Sequence, residues 1–374
     1  MRVLVTGGAG FIGSHVVDRL VGAGHAVTIL DNLDPQVHGA HGDHVSPPYL
    51  SKQAELIIGD IRDAPLVGRL VADTDAVIHL AAAVGLAQSM YEPERFVDVN
   101  CRGTAILLQA VVKNPNCRKV VVASSMSLYG EGRCRCPQCG EFDPALRSAE
   151  QLAKREFEVV CPRCRSIAPP MGTPESARLQ PTTVYAVTKR DQEELCLTFG
   201  VAYRLPVVAL RLFNVYGPRQ SLSNPYTGVG AIFSSRLLNK QPPIVFEDGL
   251  QTRDFTHVSD VADAFVRATF ESGADGQVRN VGAGRAIPLV ELGELLAREI
   301  GVDWNPEITH NFREGDIRHC SADVTLLQRY LGLKPKVAFA DGVKDLVLWV
   351  KNSDRASDFV PRAMTELKER GLLR

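Results

Sequence analysis

The sequence predicts an α/β fold, a doubly wound parallel sheet with a smaller C-terminal domain, and three observations carry that reading. A short apolar segment, Arg2 to Thr6, opens into a glycine-rich turn and then into a helical pattern that runs through Leu20. Further apolar segments recur at the spacing of strands that alternate with helices. A Tyr-x-x-x-Lys pair, Tyr185 and Lys189, lies four positions apart on a helical stretch and therefore on one helix face.

At 374 residues the chain is long enough for one large or two medium domains. A net charge of -1 gives no electrostatic reason to expect nucleic acid or an anionic membrane as partner. No apolar run is long enough to span a bilayer, and the N-terminus enters a strand-like segment without a signal-peptide layout, so a cytoplasmic location is expected. Nine cysteines in such a chain read as thiols or metal ligands rather than as a disulfide framework.

The first strand ends in Gly7-Gly8-Ala9-Gly10-Phe11-Ile12-Gly13. Glycines at 7, 10 and 13 let the backbone pass close to a pyrophosphate, and the following helix offers it free N–H groups and a positive dipole end. The second strand, Ala26 to Leu30, ends in Asp31, where an acidic side chain accepts hydrogen bonds from an adenosine ribose. No Arg or Lys occurs between Asp31 and Lys52, which favours NAD over NADP. Strand-like Glu55 to Ile58 leads to Gly59-Asp60-Ile61, and Ala76 to Leu80 leads to Ala81-Ala82-Ala83, small residues that suit a backbone pressed against a flat cofactor. The loop between Asn32 and Gln53 carries His38, His41 and His44 without any other ligand pattern and is left unassigned. Lys119 to Ala123, another buried strand pattern, delivers Ser124-Ser125-Met126-Ser127-Leu128-Tyr129-Gly130.

Gly7/Gly10/Gly13, Asp31, the Ser-Ser…Tyr-Gly segment and Tyr185/Lys189 together resemble the extended short-chain dehydrogenase/reductase family, the nucleotide-sugar epimerases and dehydratases. The resemblance implies a Rossmann NAD domain over residues 1–205 and a nucleotide-sugar domain mainly over 206–374, some segments of which return to the first sheet. It implies a catalytic Ser125, Tyr185 and Lys189. Ser125 would hold the sugar O4 against Tyr185, which would take its proton. Lys189 would bind the nicotinamide ribose and, with the positive cofactor ring, lower the tyrosine pKa. The same resemblance assigns Gly7, Gly10, Phe11, Ile12, Gly13, Asp31, Asn32, Asp60, Ile61, Leu80, Ala81, Ala82 and Asn100 to the cofactor, beside Tyr185 and Lys189.

The two residues after Ser125 separate the reactions. Dehydrating relatives carry Asp-Glu there and decarboxylating relatives keep a Glu at the second position, whereas this chain has Met126 and Ser127, neither an acid nor a base at neutral pH. The sequence therefore resembles the 4-epimerases, which oxidise C4, turn the 4-keto sugar and return the hydride to its other face. A 4-keto reductase or dehydrogenase, or a UDP-glucuronate decarboxylase, is the rival enzyme reading. A non-catalytic NAD-binding scaffold with a docking module is the rival from another class.

Between Tyr129 and Tyr185, residues 131–180 form an insertion with Cys136-Pro-Gln-Cys139 and Cys161-Pro-Arg-Cys164. Two such knuckles match a zinc ribbon, with Cys136, Cys139, Cys161 and Cys164 as ligands and Cys134 outside the set. Four thiolates leave no open coordination position, so the zinc is expected to be structural. Because the insertion leaves the chain after Ser125 and returns before Tyr185, it is expected to cap the sugar pocket. A Cys-rich insertion here is also similar to some dTDP-L-rhamnose 4-epimerases, making dTDP-L-rhamnose the first candidate substrate and a UDP-hexose the second.

In the C-terminal part, the resemblance places Ser127, Asn214, Arg253, Arg313 and Asp316 on the substrate, the two arginines on its pyrophosphate and Asp316 near the nucleoside ribose. It also pairs the helices Val97 to Lys113 and that beginning at Tyr185 with their copies in a homodimer. Leu326 to Trp349 has amphipathic helical spacing, and the charged residues after Asn352 are expected to be loosely held.

Overall fold

The computed structural model describes residues 1–39, 46–221, 228–313, 315–352 and 360–373. Of the three loop histidines, His41 and His44 lie outside the described residues, while His38 stands 3.7 Å from Asp31.

Seven parallel strands form the first sheet: β1 (Arg2–Thr6), β2 (Ala26–Asp31), β3 (Glu55–Ile58), β4 (Ala76–His79), β5 (Val120–Ser125), β6 (Val207–Leu212) and β7 (Gln277–Val281), in the spatial order β7-β6-β5-β4-β1-β2-β3. The central strands are Val- and Ile-rich and buried on both faces, the pattern a parallel sheet covered by helices demands. Alternation sends successive β1 residues to opposite layers. Val3 and Val5 join Val16, Val17, Leu20, Val261 and Phe265 of helices Phe11–Gly22 and Val258–Phe270. Leu4 joins Val67, Leu107 and Cys196 of helices Ala64–Ala72, Gly103–Val111 and Val184–Tyr203. The strand order reverses between β1 and its neighbours β2 and β4, which opens a crevice at their C-terminal ends.

A second sheet runs Asn214–Tyr216, Thr252–His257, His319–Ala322, Pro170–Thr173, Arg133–Cys136, Gly140–Phe142, with Ala286–Pro288 antiparallel to Thr252–His257. Helices Val229–Leu238, Leu289–Ile300 and Phe339–Lys351 bury a separate apolar cluster against it. The two sheets interleave in sequence: β6 and β7 return to the first, whereas the strands of the cysteine insertion belong to the second. Ser321 pairs with Gly172, and Cys134 pairs with Pro170, so the insertion prolongs the C-terminal sheet as hydrogen-bonded strands.

In the tail, the helical spacing is borne out and the loose end is corrected. The amphipathic stretch from Leu326 is two helices, Thr325–Leu331 and Phe339–Lys351, because Gly332 takes a left-handed φ of 58° and Pro335 follows. Of the charged end, the described residues 360–373 are held. They form a helix, Val360–Glu369, place Arg370 4.0 Å above the Tyr91 ring and pair Leu373 with Arg313. Among the described residues no helix is long and apolar enough to cross a membrane.

Candidate active site

At the dinucleotide end, Gly10 caps helix Phe11–Gly22 without any side-chain hydrogen bond, which leaves the first-turn N–H groups open to an anion. Two glycines are required by close approach. A Cβ on Gly13 would stand 2.2 Å from the Gly7 carbonyl oxygen, and one on Gly7 (φ 70°) 2.7 Å from the Ala81 nitrogen. The turn thus presses β1 against the Leu80-Ala81 end of β4. Asp31 is buried, and its two carboxylate oxygens each accept one backbone N–H, from Ala9 and Leu33 at 3.0 Å, with lone pairs to spare for ribose hydroxyls. Asp60 accepts from Asn32 at 3.4 Å and pairs with Arg62, which also reaches Asp98. Arg62 is thus committed to two carboxylates and is a poor receptor for a 2′-phosphate. These residues fit a dinucleotide with a free 2′-hydroxyl.

Asn100 lies in a π-helical turn, Val97–Arg102, that continues helix Pro93–Phe96. Its amide accepts from Ala83 N–H at 2.8 Å and donates to Ala83 C=O and Thr188 Oγ1. It therefore ties the end of β4 to the helix carrying Tyr185 and Lys189. Its hydrogen bonds go to protein groups.

Ser125, Tyr185 and Lys189 come together where β5 meets the start of helix Val184–Tyr203. Thr183 caps that helix, and Phe96 packs edge-on to the Tyr185 ring at 6.4 Å. The Ser125 hydroxyl accepts from both the N–H and the hydroxyl of Ser127, at 3.2 and 2.9 Å, which leaves its own proton to donate. Burial pushes the Tyr185 phenol up to about 12, and hydrogen bonding to Ser125 offsets this only in part. Burial likewise pushes Lys189 down to about 8, and its ammonium donates to Gln192 Oε1. Gln192 in turn reaches His79 and Thr104 at 2.9 Å, so the lysine is seated from behind by a buried polar chain.

A second buried group fixes the floor. Arg211 of β6 makes a two-pronged pair with Glu193 at 2.6 and 2.9 Å and donates to the Tyr129 hydroxyl at 2.8 Å. Glu193 also accepts from Ser124, and Tyr129 donates to Asn280 of β7. The catalytic helix is thereby locked to three strand ends. His79, Gln192, Glu193, Arg211 and Asn280 escaped the sequence reading, which took Tyr129 only as part of a motif. A lone arginine inside the apolar run Val207–Leu212 was the available signal, since such a charge must find a buried partner.

On the substrate side, the Asn214 amide oxygen is buried and has no hydrogen-bond partner among the described residues. Arg253 is turned toward the protein. It donates to the carbonyls of Thr252, Ile317 and Arg318, so three of its five N–H groups are spent on positioning a loop and two remain. Arg313 donates to Asp316 at 2.8 Å and stacks on Phe246 at 4.7 Å. With Leu86, Ala87, Met90, Thr183, Gly315 and Leu372, these two residues line a cavity beside the catalytic helix.

In the insertion, the sulfurs of Cys136, Cys139, Cys161 and Cys164 all lie within 4.8 Å of one another, against about 3.8 Å for a tetrahedron of ~2.3 Å zinc–sulfur bonds. The second cysteine of each knuckle is followed by a left-handed residue, Gly140 at φ 83° and Arg165 at φ 65°, which turns two thiols toward one point. This donor set fits a closed metal site. Cys134 is buried in the apolar cluster beneath it, with Val159 and Ala168. That cluster packs on the C-terminal sheet, and its side chains are separate from those around Ser125 and Tyr185.

A model of the NAD dependent epimerase/dehydratase family matches residues 3–166 and 159–282. The dTDP-L-rhamnose 4-epimerase of Burkholderia thailandensis is 34% identical over 352 residues, covering 93% of this chain and 94% of that protein. UDP-glucose 4-epimerase from Thermotoga maritima, solved with UDP-glucose, is 31% identical, with a TM-score of 0.77, over 94% of this chain and 99% of the other. UDP-glucuronic acid 4-epimerase from Bacillus cereus, solved with UDP-glucuronic acid and NAD, is 26% identical, with a TM-score of 0.75 and coverage of 94% and 99%.

Proposed function

The chain belongs to the NAD dependent epimerase/dehydratase family, and from that premise we infer that it is an NAD-dependent nucleotide-sugar 4-epimerase. The observation that carries this reading is the turn after Ser125. Met126 is buried, and the Ser127 hydroxyl is engaged with Ser125, so the turn brings no carboxyl group to the sugar for dehydration or decarboxylation.

Bound NAD supplies the acceptor for the C4 hydride and then its donor. The chain's own groups do the rest. Ser125, with its proton free to donate, holds the O4 oxygen in reach of Tyr185. Tyr185 takes the O4 proton and later returns it. A phenol held at about 12 is not a base at neutral pH, and Lys189 in its Gln192 seat does not by itself make it one. With Lys189 beside it, the Tyr185 phenol would be lowered into working range by the positive charge that an oxidised nicotinamide would bring. Gly7, Gly10, Phe11, Ile12 and Gly13 would hold the pyrophosphate, and Asp31 and Asn32 the adenosine ribose. Asp60, Ile61, Leu80, Ala81 and Ala82 would line the rest of the cofactor, and Lys189 would reach the nicotinamide ribose.

Finer assignments belong to the same proposal. The Asn214 amide nitrogen, Arg313 and the free edge of Arg253 bind the diphosphate through their N–H groups, and Asp316 the nucleoside ribose. dTDP-L-rhamnose is the first substrate to try and a UDP-hexose the second. The four cysteines hold a structural zinc, the enzyme is a homodimer through its Val97–Val111 and Val184–Tyr203 helices, and it works in the cytoplasm.

The test is proton NMR of the purified protein, without added NAD, on a panel of dTDP- and UDP-sugars, following the H4 couplings. Interconversion of C4 epimers supports the reading and names the substrate. Turnover only with stoichiometric NAD(H) would replace it with a reductase or dehydrogenase, and carbon dioxide release from a UDP-uronate with a decarboxylase.

A further inference from the structure

The insertion meets the C-terminal domain through a cluster of buried charges. Arg147 and Glu131, both in the insertion, have side chains 2% and 0% exposed and pair at 2.8 Å. Arg147 also pairs with Glu247 at 2.9 Å and donates to the Phe157 carbonyl. Arg318, fully buried, bridges Glu247, Asp248 and the insertion's Glu158. Buried ions are costly unless their geometry is satisfied, so a cluster of this kind fixes whatever backbone it touches.

What it touches is the segment 315–318. The Gly315 carbonyl accepts from Thr182 Oγ1, at the foot of the insertion, and the Asp316 carbonyl accepts from Arg147. The Ile317 carbonyl accepts from Arg253. The Arg318 N–H donates to Glu131, and its carbonyl accepts from Arg253 and the Thr252 N–H. Backbone groups of four consecutive residues are thus held by side chains of the insertion, by Thr182 just beyond it or by Arg253. This segment carries Asp316 and seats the Arg253 guanidinium, two of the groups proposed for the nucleotide. Neither Arg147 nor Glu131 lines the cavity itself.

We infer that Arg147 and Glu131 are positioning residues for the nucleoside diphosphate half of the substrate, and that the cysteine insertion acts on the reaction through nucleotide binding rather than as a cap over the sugar. The inference rests on the nucleotide-site assignment above. Because the partners of Arg147 and Glu131 do not include Ser125, Tyr185 or Lys189, weakening these two side chains raises KM and leaves kcat in place.

Arg147→Lys keeps the charge and loses the fork that reaches Glu131, Glu247 and the Asp316 carbonyl together. Glu131→Gln keeps the shape and turns an amide N–H toward Arg147 or toward the Arg318 N–H. Calorimetric titration of each full-length variant with dTDP and UDP should show affinity reduced about tenfold, the equivalent of one buried hydrogen bond lost. KM for the sugar nucleotide should rise in step, with kcat within about twofold and NAD content per chain unchanged. Wild-type nucleotide affinity with reduced kcat would overturn the inference, as would NAD content and nucleotide affinity falling together. Should the wild type epimerise none of the sugars, the functional reading fails. The dTDP and UDP titrations then decide the positioning inference alone, a loss of affinity supporting it and an unchanged affinity refuting it.

Discussion

The catalytic floor and the insertion junction both bury arginines, but they balance them differently. At the floor, Arg211 meets one carboxylate, Glu193, and the remaining partners are the neutral Tyr129 hydroxyl and Glu175 carbonyl. At the junction, Arg147 and Arg318 face Glu131, Glu158, Glu247 and Asp248, with His319 against Glu158 at 3.2 Å. The one-to-one Arg211–Glu193 pair fixes the catalytic helix without adding net charge of its own. An acid-rich junction fixes backbone geometry at a distance from the chemistry. In this account chemistry belongs to the first region and recognition to the second.

The comparison can be broken most sharply at the phenol. Tyr185→Phe should cost roughly 10²–10⁴ in kcat, or about 3–5 kcal/mol in the barrier, with nucleotide affinity retained; steady-state kinetics on the substrate found by NMR is the check. At the floor, Arg211→Met leaves Glu193 buried without its cation and should destabilise the fold by about 3–5 kcal/mol, read by denaturant unfolding. If the four cysteines hold the proposed zinc, treatment with a chelator should lower the melting temperature and raise KM while kcat holds; equal losses in kcat would erase the division between the regions.

The smallest effect concerns pH. Hydrogen bonding to His319, and then the Arg318 guanidinium, holds Glu158 down at about 2. A carboxyl lowered on folding contributes stability that is complete above its unfolded value of ~4.3 and is lost as pH falls toward 2. Glu158→Gln should flatten the unfolding free energy over that acid range and leave it unchanged in slope near neutrality. Because Glu158 is partly exposed, solvent screening keeps the effect modest.

Legibility in the sequence followed locality. The strand–glycine–helix opening, Asp31 at the end of β2 and the Tyr185/Lys189 face depend on residues a few positions apart, and their patterns could be read directly. The knuckle spacing announced the cysteine cluster for the same reason. Arg211 with Glu193, and Arg147 with Glu247, join residues brought together only by the sheets, so no spacing rule reveals them. Arg253 shows the limit of motif reading: the resemblance implies an arginine on the pyrophosphate, but not that most of its donors go to carbonyls at 252, 317 and 318. The tail misled because its charge suggested solvent, whereas Arg370 stacks on Tyr91 and Leu372 lines the cavity.

The most direct test of the central claim is the fate of the C4 hydrogen. A nucleotide sugar deuterated at C4, epimerised by the purified enzyme without added NAD, should give the C4 epimer with its deuterium retained, because the hydride returns from the same bound cofactor to the sugar that gave it up. Loss of the label to water, or dilution by unlabelled NADH added to the reaction, would contradict a resident cofactor and the 4-epimerase mechanism built on it.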